Sequence, residues 1–94
     1  MKKEGQSDLS QELRKKRKEL DLIDHKLSTL LNQRFRIALK IGKIKKEIGK
    51  KIYDPRREEE ILERLKLKNR GPLKEEDLIK IFTTILRSCR RSQI

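Results

Sequence analysis

The chain has few aromatic side chains, one cysteine and no apolar stretch long enough to cross a membrane. Aromatic residues make up 3% of its 94 residues, so a nucleic acid would find no platform for base stacking. The single cysteine, Cys89, excludes an intrachain disulfide and a cysteine-based zinc site. No run approaches roughly 18 apolar residues, and the first residues contain no hydrophobic signal segment. These absences predict a cytoplasmic protein.

The chain also lacks the residue patterns that activate a nucleophile or hold a metal. Its one histidine, His25, lies off the apolar pattern, and no histidine is placed to activate Cys89, Ser88 or Ser92. There is no glycine-rich phosphate loop and no metal-ligand spacing. We therefore expect no metal and no cofactor, and we interpret Cys89 as a small buried side chain.

Charge is what the sequence has in abundance. Charged residues make up 45% of the chain, and the net charge is +12. Such an excess permits three kinds of partner, namely a nucleic acid, an acidic membrane or a small anionic substrate. The basic run from Arg14 to Lys18 is the densest cluster. Because most of its members point away from the apolar stripe, we interpret it as a solvated face.

Apolar residues in the first half of the chain repeat every seven residues. The two interleaved series are Leu13, Leu20, Leu27, Arg34, Ile41 and Ile48, and Ile23, Leu30, Ile37 and Ile44. This heptad seam predicts one very long helix, from about Leu9 to Ile48, that packs against another helix. Such a helix would be about 60 Å long, too long for the remaining residues to cover. A homodimer is therefore expected.

An arginine interrupts the seam at position 34. A guanidinium stays charged at any ordinary pH, and its burial is costly unless an anion meets it. Arg34 therefore predicts either an anion-binding site or a carboxylate that pairs with it across the interface.

Local signals divide the rest of the chain into helices. Asp8, with Gln11 three residues later, is typical of a capping box at the start of a helix. This start predicts a flexible tail at 1–8 and one domain at 9–94. Gly49 ends the first helix. Asp54 and the proline after it are a strong helix start.

The second helix is predicted over 55–68, and a turn at 69–72 separates it from a third helix that begins near residue 74. No strand pattern occurs, so the fold class is all-α with three helices per chain. The residues expected to face inward are Ile61, Leu62, Leu65, Leu78, Ile81, Phe82, Ile85, Cys89 and Gln93.

Several polar residues share a face with these apolar stripes. Lys45 follows Arg34 by just over three turns, so the two side chains project in similar directions about 16 Å apart. Arg17 is too far along the same helix to join them, although an antiparallel partner would bring it to the middle of the seam. Taken singly, each has an ordinary explanation, such as an interhelical salt bridge or, for Glu58 in the first turn of its helix, an interaction with the helix dipole. Gln93 near the end of the chain would by itself be read as solvated.

Together these residues resemble the all-helical class of chorismate mutase, from Leu13 to Gln93. The matching residues, in chain order, are Arg17, Ile23-Asp24-x-Lys26-Leu27, Arg34, Gly42-Lys43-x-Lys45, Asp54-Pro55-x-Arg57-Glu58, Phe82 and Gln93. The resemblance implies an intertwined homodimer with two equivalent sites. It also implies an enzyme of phenylalanine and tyrosine biosynthesis, in the shikimate pathway, that rearranges the dianion chorismate to prephenate without a cofactor.

The resemblance assigns the substrate's carboxylates to two arginines. Arg17 of the partner chain and Arg34 would hold them. The family usually has serine where this chain has Cys89, and a thiol is a poorer hydrogen-bond donor. Ser88 or Ser92 could substitute for that contact.

The other implied roles concern the ether oxygen and the ring. Lys45 would bridge a carboxylate and the ether oxygen, and Gln93 would donate to the same oxygen. Glu58, together with the region of Asp54, would bind the ring hydroxyl of the substrate. Arg57 would support the site.

Two alternatives remain open at this point. An isochorismate-pyruvate lyase uses the same fold and a similar cationic site, although the Asp54-x-x-Arg57-Glu58 spacing favours the mutase. A basic helical dimer that binds nucleic acid would instead show affinity that falls steeply with salt.

Overall fold

The protein is built from three α-helices. The computed structural model describes residues 8–94 in full and residues 2–7 as backbone only. Helix α1 spans Lys2–Glu47, α2 spans Pro55–Lys68 and α3 spans Glu75–Ser92. No strand occurs in residues 2–94. The predicted all-α fold with three helices is confirmed.

The chain divides into two compact units, residues 1–34 and 35–94. In the first unit, which is helical, the side chains of residues 8–30 are all exposed. The second unit contains the end of α1 together with α2 and α3, and its buried apolar side chains are Ala38, Leu86 and Cys89. Over the part of the chain that the structure describes, no helix is both long enough and apolar enough to cross a membrane.

The predicted start of α1 is wrong. Asp8 lies inside the helix and does not cap it, since an aspartate inside a helix costs less than about 1 kcal/mol and a capping signal alone does not fix a helix start. Apart from Asp8, the predicted tail at 1–8 lies outside the fully described residues.

The end of α1 falls within one residue of its predicted position. Gly49 adopts a left-handed conformation with φ 72°. The amide of Gly49 donates to the carbonyl of Lys46 at 3.3 Å, and the amide of Lys50 donates to that of Lys45 at 2.8 Å. These two bonds form a Schellman motif, which needs a residue that tolerates positive φ.

Helix α2 begins where the sequence predicts. The side chain of Asp54 accepts a hydrogen bond from the amide of Arg57 at 3.1 Å, and Pro55 opens the helix. The turn that follows is tied by Asn69, whose side chain accepts from the amide of Gly71 at 3.2 Å and donates to the carbonyl of Leu73 at 2.8 Å. These short-range bonds set the direction in which α3 leaves α2.

The residues of α3 that were predicted to face inward are half-buried or buried, except for Ile81. Phe82 is half-buried and Leu86 and Cys89 are buried, whereas Ile81 is 49% exposed. The buried side follows the spacing i, i+4, i+7 from Phe82, and continuing it by four residues reaches Gln93. Ile81 thus lies at the edge of this stripe, and Leu86, which was not among the residues predicted to face inward, lies within it.

Replacing the cap of α2 should destabilise the chain measurably. Asp54→Ala removes the side-chain acceptor for the Arg57 amide, so we expect the free energy of unfolding to fall by about 1 kcal/mol. Asp54→Asn keeps an acceptor oxygen and should lose much less. Urea denaturation of the three proteins measures both changes. An equal loss in the two variants would show that capping is not the reason.

Candidate active site

Lys45 reaches from the last turns of α1 into the connection before α2. Its Nζ donates to the carbonyl of Ile52 at 2.8 Å, and the side chain is half-buried. An ammonium group has three N–H donors. One is therefore used to hold the lysine against the backbone, and two are left to bind an anion.

Gln93 ties the end of α3 to α1. Its Nε2 donates to the carbonyl of Ala38 at 2.8 Å, and Ala38 is buried. Gln93 is half-buried rather than solvated. The side-chain amide has two N–H donors, so the second can meet a ligand in an orientation that the first has fixed.

Gly42 makes this close approach possible. A Cβ atom at position 42 would lie 3.0 Å from both Cβ and Cγ of Gln93. Such distances are shorter than ordinary carbon–carbon contacts of about 3.5–4.0 Å. The glycine in the Gly42-Lys43-x-Lys45 motif therefore has a steric role that its spacing alone does not reveal.

Glu58 lies in the first turn of α2 and is paired with a residue that the sequence did not single out. Its Oε2 is 3.3 Å from Nε of Arg90, and the Arg90 guanidinium lies 4.2 Å from the centre of the Tyr53 ring. The only available signal was the position of Arg90, three residues before Gln93 on α3. That signal was not distinctive, because arginine is common in this chain.

Asp54 and Arg57 are joined through the helix cap. The Arg57 amide donates to Asp54 Oδ1, while the Arg57 guanidinium lies 3.7 Å from Glu60 on an exposed side of α2. The Arg57 side chain thus points along its own helix. Among the fully described residues, Asp54 Oδ2 has no hydrogen-bond partner, so it is available to a ligand.

Cys89 is a buried thiol, 4% exposed, as its interpretation as a buried side chain predicts. The hydroxyl of Ser92 donates to the Cys89 carbonyl at 2.6 Å, which uses its one proton. Ser92 thus has no hydroxyl proton left for a ligand, whereas Ser88 is half-buried and forms no hydrogen bond through its hydroxyl with any fully described residue.

Arg17 and Arg34 belong to the first unit, where Arg17 is exposed and Arg34 is half-buried. The other predicted site residues lie in the second unit. Of these, Lys45, Glu58 and Gln93 are half-buried and held by partners.

The second unit presents anchored donors but no activated nucleophile. Among the fully described residues, no group of three or more His, Cys, Asp or Glu side chains could hold a metal ion. The pKa of Lys66 is raised, mainly by its hydrogen bond to Glu63 at 3.0 Å. Because that lysine is charged at neutral pH in either case, the shift does not alter the site. The arrangement suits binding of an anion and stabilisation of developing negative charge.

The three helices and these anchored donors define an all-helical protein suited to binding a small anion. Residues 16–94 match the chorismate mutase type II family, and the chain belongs to that family.

Two solved structures are similar over most of their length. Chorismate mutase from Thermus thermophilus is 34% identical with a TM-score of 0.85, and the match covers 86% of this chain and 92% of that one. The chorismate mutase from Helicobacter pylori, solved in complex with prephenate, is 42% identical with a TM-score of 0.79, covering 86% and 88%.

A longer relative is also similar. The bifunctional chorismate mutase/prephenate dehydratase of Aquifex aeolicus is 37% identical over 83 residues, which is 84% of this chain. The chain spans about a quarter (23%) of that relative's length.

Substituting Gly42 should reverse the usual effect of replacing a helical glycine. Gly42→Ala would ordinarily stabilise a helix by about 1 kcal/mol. Here the new methyl group meets Gln93, so we expect the free energy of unfolding to fall. In a Gln93→Gly background both contacting atoms are gone, and the same substitution should be neutral or stabilising. Urea denaturation of the four proteins measures this difference. Equal stabilisation in both backgrounds would contradict the close approach.

Proposed function

We propose that this chain catalyses the rearrangement of chorismate to prephenate. The observation that carries the proposal is a pair of anchored donors, Lys45 and Gln93. Each donates to a backbone carbonyl at 2.8 Å and keeps at least one further N–H donor. Membership of the chorismate mutase type II family supplies the substrate class.

The chemistry requires little more than such donors. The rearrangement is a pericyclic Claisen shift within one molecule, so no proton transfer, nucleophile or cofactor is involved. An enzyme can accelerate it by holding the reactive conformer and by stabilising the negative charge that develops on the ether oxygen. In our proposal Lys45 binds a carboxylate and this oxygen, and Gln93 donates its second N–H to the same oxygen.

The remaining roles are those that the resemblance to the family implies. Arg34 and Arg17 of the partner chain bind the two carboxylates. Glu58 accepts a hydrogen bond from the ring hydroxyl. Asp54 Oδ2, which has no other partner among the fully described residues, lies available to the same hydroxyl. Arg57 acts through the backbone of the α2 cap, because its guanidinium pairs with Glu60.

The proposed assembly is a homodimer that covers the heptad seam. In the first unit Leu13, Leu20 and Leu27 are 51–58% exposed, and in the second unit Ile44 and Ile48 are 55% and 61% exposed. Burying one such side chain fully is worth about 1.5–3 kcal/mol. A regular row of exposed leucine and isoleucine favours a helical partner, and a second copy of the chain carries a matching seam.

A product assay tests the reaction itself. The wild type should convert chorismate to prephenate, followed by the loss of chorismate absorbance and by chromatography of the product. Lys45→Ala should lower kcat/KM by a factor of about 10²–10³. The exposed neighbour Lys46→Ala is the matched control and should remain active. Salicylate and pyruvate as products would instead identify an isochorismate-type lyase, and no turnover would reject both.

Mixing two inactive variants tests the sharing of sites. Arg17→Ala and Arg34→Ala homodimers should each be inactive, since every site lacks one carboxylate-binding arginine. After subunit exchange, a heterodimer holds one site with both lesions and one with neither. Random pairing should therefore restore about a quarter of the wild-type activity.

Sedimentation supplies the control for that mixture. The wild type and both variants should sediment at about twice the 11.3 kDa chain mass. If exchange is demonstrated with labelled chains and activity stays absent, Arg17 does not act across the interface. An active monomer would reject the dimer as well.

Gln93→Glu should make the reaction depend on pH. An ionised carboxylate cannot donate, and it would face both the Ala38 carbonyl and the ether oxygen, which are acceptors. Protonation restores a donor, so kcat/KM of the variant should rise as pH falls toward an ordinary glutamate pKa of about 4.3. At pH 7.5, where the wild type is fully active, we expect kcat/KM of the variant to be lower by a factor of about 10²–10³.

Rate measurements from pH 4.5 to 8 on both proteins decide this point. Parallel profiles, with the variant as active as the wild type at pH 7.5, would remove Gln93 from the mechanism. Lys45 would then be the remaining donor to the ether oxygen.

A further inference from the structure

We propose that Arg90 is a positioning residue for Glu58, a role that rests on the function proposed above. Arg90 extends from the last turns of α3 to the first turn of α2. Its Nε lies 3.3 Å from Glu58 Oε2, and its guanidinium carbon lies 4.2 Å from the centre of the Tyr53 ring. The arginine thus links α3, α2 and the connection that precedes α2.

The two contacts use different parts of the guanidinium. Its central carbon lies over the Tyr53 ring, where the attraction between a cation and a π system holds the group in place. Its Nε lies within ion-pair distance of Glu58. A planar group held against a ring can meet a carboxylate in fewer orientations than a lysine ammonium, which is free to turn. Tyr53 therefore restricts where Arg90 can hold Glu58.

Holding one carboxylate oxygen prepares the other for the substrate. Glu58 Oε2 forms an ion pair with Arg90, while Oε1 has no ion pair or hydrogen bond with any fully described residue. Glu58 has a side-chain exposure of 24% and Arg90 of 30%, so the pair is only partly accessible to water. A carboxylate that is oriented before binding loses less conformational entropy when the ring hydroxyl of the substrate binds to it.

Arg90 also offsets the charge of Glu58. The proposed substrate is a dianion, and an ionised carboxylate in its site would repel it. A guanidinium beside that carboxylate offsets its charge yet leaves an oxygen that can accept a hydrogen bond from a hydroxyl. This explains how an acidic residue can serve in a site built for an anion.

The pair has room to tighten when a ligand binds. Arg90 Nε is buried, but it forms no hydrogen bond within the fully described residues, because its N–H is not aligned with Glu58. A small rotation of the carboxylate would complete this bond. Hydrogen bonds of catalytic groups are often long or poorly aligned before the substrate is present.

A double-mutant cycle tests whether Arg90 acts through Glu58. The proteins are the wild type, Arg90→Gln, Glu58→Ala and the double variant, with kcat/KM for chorismate as the readout. We expect Arg90→Gln to lose about tenfold or more, since it removes the charged partner of Glu58. The double variant should be no worse than Glu58→Ala alone, because Arg90 then has no carboxylate to position.

Two further variants separate positioning from general stability. Arg90→Lys keeps the charge without the planar stack and should recover part of the activity that Arg90→Gln loses. Arg91→Gln removes an exposed arginine at the next position and should match the wild type. Thermal unfolding of each protein shows whether any loss follows instability instead.

The outcomes separate this role from the proposed function. Losses that multiply in the double variant, or an Arg90→Gln protein as active as the wild type, would overturn the role of Arg90 alone. A wild type that does not turn over chorismate would overturn the proposed function and this role together.

Discussion

The contact between the end of α3 and α1 is the constraint on which the second unit depends. Gln93 can donate to the carbonyl of Ala38 only because position 42 carries no side chain. This hydrogen bond fixes the last turn of α3. The same turn carries Cys89 into the interior and directs Arg90 toward Glu58. One missing Cβ atom thus determines where several proposed site residues lie.

A second constraint is that the chain buries few apolar side chains by itself. Over the fully described residues, the buried apolar side chains are those of Ala38, Leu86 and Cys89. The leucines of the heptad seam are exposed. Small chains bury a modest fraction of their surface and gain little stability from a core. In the proposed dimer the seam supplies the missing burial, and it also contains Arg34 and is flanked by Arg17. Folding and binding of the substrate would then depend on the same interface.

Local chemistry explains which features the sequence could predict. The start of α2 was predictable because Asp54 and Pro55 act within one turn, and the end of α1 because Gly49 tolerates positive φ. Lys45, Glu58 and Gln93 could be selected because their spacing resembles a family pattern. Arg90 and Tyr53 could not, since their contact joins segments far apart in the chain. The start of α1 was missed because Asp8 is tolerated inside a helix.

If Glu58 lies in the substrate site, as proposed, the balance of charge around it matters for binding. Two unit charges about 4 Å apart near a protein surface interact by about 4 kcal/mol. An isolated carboxylate close to a bound dianion would therefore weaken binding by an amount comparable to the gain from one good ion pair. With Arg90 at 3.3 Å, the carboxylate presents an acceptor whose charge is largely compensated. In the proposed mechanism the net positive charge of the chain attracts the substrate, while the neutral amide of Gln93 and the compensated Glu58 distinguish its uncharged oxygens.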